Sequence, residues 1–99
     1  MKYLILFILI SPSLCAQQNF DTVRIRPVKI TENIYMLKGS GGNIGVLTGK
    51  DGNLIIDDQF APLSEKIKAA VQSLDKGAIK YLINTHLHGD HTGGNEKMG

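Results

Sequence analysis

The sequence predicts an α+β fold in which a β-meander leads into one amphipathic helix, a buried strand and a histidine-rich loop. Three observations carry this. Short apolar runs broken by Gly, Asn and Asp turn residues extend from Val23 to Asp57. Apolar residues then recur at helical spacing from Leu63 to Leu74. All three histidines of the chain fall between positions 86 and 91, directly after a short apolar run.

The first element is an address. Met1 and Lys2 precede the apolar run Tyr3–Ile10, which Ser11 and Pro12 break, and Ser13-Leu14-Cys15-Ala16 follows in the layout of a secretory signal peptide. The run is far short of the roughly 20 residues a membrane-spanning helix needs. Residues 1–16 are therefore expected to be removed after Ala16, leaving 17–99 as the folded part and placing it in the periplasm or outside the cell. Lipid attachment at Cys15 is the lesser reading, because Leu14 is large where a lipoprotein signal takes a small residue.

Val23, Ile25, Val28 and Ile30 alternate with charged residues and predict a short strand pair, with Pro27 suited to an edge or bulge. Ile34–Leu37, Asn43–Thr48 and Asn53–Asp57 read as the next strands, the last two joined by the turn Lys50-Asp51-Gly52. Leu63, Ile67, Ala70, Val71 and Leu74 then define a helix over 62–75, with Pro62 at its first position and Gly77 past its end. Lys80–Asn84 completes the order as a buried strand.

With 42% hydrophobic and 20% charged residues, the composition excludes collagen-like, low-complexity and strongly disordered chains. Net charge is only +2, and one unit of it is Lys2, so no basic excess exists to neutralise a row of phosphates and nucleic acid is not an expected partner. The sole cysteine, Cys15, lies in the leader, which removes any disulfide framework, thiolate metal site or cysteine nucleophile from the folded part.

Two features look chemical and are read as structural. Gly39-Ser40-Gly41-Gly42 lacks the lysine of a phosphate loop and the third glycine of a dinucleotide fingerprint, so it is taken as a flexible connection between strands. Asp57 and Asp58 are adjacent on a strand, where successive side chains point to opposite faces, so at most one is expected to serve a site.

The chemistry concentrates in Thr85-His86-Leu87-His88-Gly89-Asp90-His91-Thr92-Gly93-Gly94-Asn95. His86 and His88, two apart on an extended backbone, project to one side and can clamp a cation. Gly89 allows a turn that brings Asp90 and His91 to a neighbouring position, making two adjacent ions feasible. Imidazole and carboxylate without thiolate suit Zn²⁺ first, and Fe or Mn second.

This His86-x-His88-x-Asp90-His91 stretch follows an apolar strand ending in Asp57 and an amphipathic helix, and it closely resembles the metallo-β-lactamase superfamily over about Ile30 to Gly99. The resemblance implies an αββα sandwich with a dinuclear zinc site at one end. His86 and His88 would hold the first ion, and Asp90 and His91 the second. Asp57 would support the ligands by hydrogen bonding, leaving Asp58 to solvent. The family completes its site with a further histidine, a bridging aspartate and a last histidine, none of which this sequence can supply. The chain is thus expected to be the N-terminal half of a sandwich.

For a complete protein the resemblance implies metal-assisted hydrolysis of a small-molecule ester, amide (β-lactams included) or phosphoester, with Asp90 also orienting the attacking water. An iron-dependent oxidoreductase on the same scaffold is the alternative from another class. A catalytically incomplete metal-binding fragment is the third reading. No stable membrane span is expected once the leader is removed, and the oligomeric state is left open.

Overall fold

The computed structural model describes residues 19–99, so the leader expected over 1–16 lies outside the described residues. Five strands form one sheet in sequence order: β1 (Arg26–Lys29), β2 (Ile34–Lys38), β3 (Ile44–Leu47), β4 (Asn53–Ile56) and β5 (Ile79–Ile83). β1 to β4 pair antiparallel as the expected meander, and β5 returns parallel to β4. A parallel return needs a crossover, and helix α1 (Ser64–Leu74) supplies it.

The expected pair of strands over Val23–Ile30 is a single strand. Val23 and Ile25 precede β1 and pack as partly buried residues against the core. Pro27 lies in β1, the outermost strand, where its missing N–H removes no ladder bond on the open side. The expected helix start at Pro62 falls in a 3₁₀ turn, Ala61–Leu63, that leads into α1. Past the helix, Asp75 is extended and its carboxylate accepts the Gly77 N–H at 2.8 Å.

Helical and strand periodicity meet in one core. Leu37, Ile44, Val46 and Ile55 point from one face of the sheet onto Leu63, Ile67 and Val71, and all seven are buried. Lys66 on α1 donates to the carbonyls of Phe20, Asp21 and Val23 at 2.7–3.0 Å, tying the segment before β1 to the helix. The other face of the sheet carries Ile34, Leu47, Ile56, Tyr81 and Ile83, all exposed. β5, expected to be buried, is therefore open on one face: Tyr81 is 61% and Ile83 53% exposed, because nothing among the described residues covers that side of the sheet. Two short helical turns follow, α2 (Gly89–Thr92) and α3 (Asn95–Met98). Among the described residues, no helix is long and apolar enough to cross a membrane.

Candidate metal centre

The C-terminal ends of the parallel strands β4 and β5 lie side by side, and the site is built on the two segments that leave them. After Ile56 the backbone turns sharply, with Asp57 at φ 65° and Gln59 at φ 55°. Aspartate adopts left-handed backbone more readily than most residues, which suits Asp57 to end a strand in this way. The Asp57 N–H still extends the β4–β5 ladder, donating to Ile83 O at 2.8 Å.

This turn overturns the expectation that Asp58 meets solvent. Strand alternation does not apply across a left-handed residue, and both carboxylates reach the histidine segment. Asp57 accepts the Thr85 N–H at 2.8 Å on Oδ1, and on Oδ2 it meets the Thr85 hydroxyl at 2.8 Å and His91 Nδ1 at 2.7 Å. Asp58, expected at solvent, is fully buried and accepts the Gly94 N–H at 2.9 Å, while its own N–H donates to His91 O at 3.0 Å. Their electrostatics diverge. Burial pushes the Asp57 carboxyl up, but the hydrogen bonds from His91 and from both Thr85 groups outweigh it and hold it below the usual carboxylate value. Burial also pushes Asp58 up, against one N–H from Gly94 and with the Asp57 charge adding to the rise.

His88 keeps the expected extended backbone, with φ −64° and ψ 142°, whereas His86 lies in a bend. The chain bends through 85–87, and the His86 ring meets His88 edge-on at 4.7 Å and His91 at 4.0 Å between centroids. Asp90 and His91 lie on the helical turn α2, with Asp90 Oδ2 3.5 Å from His91 Nε2. Gly89, expected to permit the turn, has ordinary backbone and open space where a side chain would be. The turn comes from helical bonds such as Gly93 N to Gly89 O at 2.9 Å.

The glycine-rich segment is not a slack connection. A methyl group on Gly41 would lie 2.7 Å from Asp90 Cβ, and one on Gly42 would lie 2.6 Å from His91 Nε2. These glycines let the β2–β3 loop lie against the two residues of α2. Gln59 clamps the loop there: fully buried, it accepts the Ser40 N–H at 3.1 Å and donates to Gly42 O at 2.5 Å. On the other side, Asn84 donates to His91 O at 3.2 Å and accepts from Asn95 at 2.7 Å.

His86, His88, Asp90, His91 and Asp57 are thus gathered at one end of the sheet. Among the described residues, no three His, Cys, Asp or Glu side chains converge as ligands of one ion. The donor chemistry, imidazole nitrogen and carboxylate oxygen, is that of zinc. Two ligands about 2.0–2.1 Å from a tetrahedral ion are about 3.4 Å apart. The Asp90 Oδ2 to His91 Nε2 separation of 3.5 Å fits that edge. Sequence reasoning missed Asp58, Gln59 and the roles of Gly41 and Gly42, whose partners are 17 to 49 positions away in the chain.

The family model of the metallo-beta-lactamase superfamily matches residues 37–98, and the chain belongs to that superfamily. The class B3 di-zinc metallo-beta-lactamase LRA-12 from an Alaskan soil metagenome superposes with a TM-score of 0.67 at 27% identity, over 76% of this chain and 29% of that one. BJP-1, a subclass B3 metallo-beta-lactamase of Bradyrhizobium japonicum, gives 0.66 at 29% identity, over 78% and 30%. A beta-lactamase from Chitinophaga pinensis gives 0.69 at 23% identity, over 90% and 34%. Among curated proteins, the alkyl/aryl-sulfatase BDS1 of Saccharomyces cerevisiae is 30% identical over 88 residues, 86% of this chain and 14% of that enzyme. The chain spans about a third of the solved relatives and less of the sulfatase, so it represents a fragment of the superfamily fold.

Proposed function

We propose that this chain carries the first half of the metal site of an exported, zinc-dependent hydrolase. Its substrate would be a small molecule with a scissile ester, amide or phosphoester bond, β-lactams being the first to test. The observation that carries the reading is the Asp90–His91 pair: Nε2 and Oδ2 stand at the spacing of two ligands on one tetrahedral ion, and Asp57 holds the opposite ring nitrogen of His91. His86 and His88 would hold a neighbouring ion. Zinc bound there would polarise the scissile oxygen and lower the pKa of water towards about 7. The protein groups do the rest. Asp90, half-exposed beside His91, is placed to orient the attacking water through its second oxygen. Asp57, buried and ionised, fixes the His91 ring and stabilises any positive charge it acquires. The class B3 relatives at 27% and 29% identity support β-lactams.

Sulfate esters are the second substrate class, favoured by the 30% identity to an alkyl/aryl-sulfatase across 86% of the chain. The test uses the full-length protein. Elemental analysis should find zinc, and hydrolysis of a chromogenic cephalosporin should be lost in His86→Ala and His91→Ala. Cleavage of an aryl sulfate but not the cephalosporin would select the second class. Iron in place of zinc, or hydrolysis indifferent to both substitutions, would overturn the reading. Export is tested by fractionation, with the mature chain expected to begin at Gln17.

A further inference from the structure

Asp57 reaches a second histidine without touching it. Thr85 Oγ1 lies 2.8 Å from Asp57 Oδ2 and 2.8 Å from His86 Nδ1, within hydrogen-bond reach of both a carboxylate and an imidazole. A threonine hydroxyl has one proton to give. The Asp57 carboxylate is already the acceptor for the Thr85 N–H and for His91 Nδ1, and an ionised carboxylate has no proton to return. The Thr85 hydroxyl therefore donates to Asp57 Oδ2 and can only accept from His86. It follows that His86 Nδ1 carries the hydrogen and that Nε2 is left with its lone pair free. His91, donating from Nδ1 to Asp57 directly, is left in the same state.

We propose that Thr85 is a positioning residue that sets the tautomer of His86, so that a single buried carboxylate presents the Nε2 lone pairs of two histidines. Asp57 acts on His91 directly and on His86 through one hydroxyl. The backbone N–H of Thr85, bonded to the other oxygen of Asp57, pins the hydroxyl's own carbon skeleton and leaves it little choice of direction. A ring nitrogen binds a metal only through its lone pair, so the proton on Nδ1 decides which face of His86 can serve as a ligand. The value of this to the protein rests on the zinc reading above. The tautomer itself is a property of the metal-free protein.

The experiment is ¹⁵N–¹H correlation across the histidine rings of the full-length, metal-free protein at pH 8, where free imidazole is neutral, with His86 assigned from the signal lost in His86→Gln. Wild type should show a protonated Nδ1 and an unprotonated Nε2 at His86. Thr85→Ser should keep that pattern. Thr85→Val should abolish it at His86 while leaving the Nδ1–H of His91 in place, which also reports that the fold survives. Zinc affinity should fall about 10- to 100-fold in Thr85→Val and stay near wild type in Thr85→Ser. A protonated Nε2 at His86 in the wild type would overturn the proposal whether or not the valine variant folds, as would an unchanged His86 pattern in Thr85→Val. The expected tautomers in a protein that binds no zinc would leave this proposal standing and overturn the metal reading alone.

Discussion

At the scale of single residues, the Asp57 carboxylate takes three hydrogen bonds within the site, and its protonation should be visible in stability. Because its carboxyl is held below the usual value in the folded state, it contributes stability that is present above the unfolded value of about 3.9 and is lost as pH falls through the folded one. Asp57→Asn should therefore destabilise the protein by about 2–3 kcal/mol at pH 7. That difference should shrink towards zero in strong acid, as urea denaturation at both pH values would show. Asp58 works with the opposite sign: its raised value favours the protonated form, so the penalty of its buried charge is relieved as pH falls. Asp58→Asn should cost less at pH 7 than Asp57→Asn, provided its side-chain oxygen still accepts from Gly94. The sequence showed two adjacent acids but gave no sign of the left-handed backbone at Asp57, which leaves one on His91 and the other on the Gly94 N–H.

At the scale of elements, the β2–β3 loop offers a clean probe of the site. Gly41 is doubly constrained, by φ 79° and by contact with Asp90. Gly42 has ordinary backbone and conflicts only with the His91 ring, so Gly42→Ala should leave the fold intact and displace His91. Circular dichroism should be unchanged while zinc affinity falls. Gln59→Leu should free the same loop by removing both of its clamps. Helix α1 is different in kind, because it serves the core: Ile67→Ala should cost about 2–5 kcal/mol in denaturant unfolding. The helix and most of the meander were legible because burial writes a period into the sequence. The clamp was not, because a glutamine bonding a backbone 17 positions earlier leaves no period.

At the scale of the whole molecule, both faces of the sheet are apolar, and among the described residues only one is covered. Leu37, Ile44, Val46 and Ile55 lie under α1, while Ile34, Leu47, Ile56, Tyr81 and Ile83 face outward. Strands such as Ile44-Gly45-Val46-Leu47 and Asn53-Leu54-Ile55-Ile56 are apolar on both sides, the pattern of a sheet buried twice. Produced by itself, the chain should associate and bind a hydrophobic dye. Tyr81→Lys with Ile56→Lys should reduce that association in light scattering without unfolding the α1 face. The double burial was visible in those runs, but the sequence of β5 did not reveal that its outer face stays open among the described residues.

The lacing of the segment after β4 to the segment after β5 has a consequence for how the site breathes. Asp58 N–H is held by His91, Gly94 N–H by Asp58, and Phe60 bridges to Gly93 in parallel pairing. Amides held across two segments exchange with solvent only when both part. The histidine segment, irregular as its backbone is, should then open together with the ends of β4 and β5 as one cooperative unit. The deuterium-exchange protection of Gly94 should match that of the strands and stand far above that of the exposed turn at Lys50-Asp51.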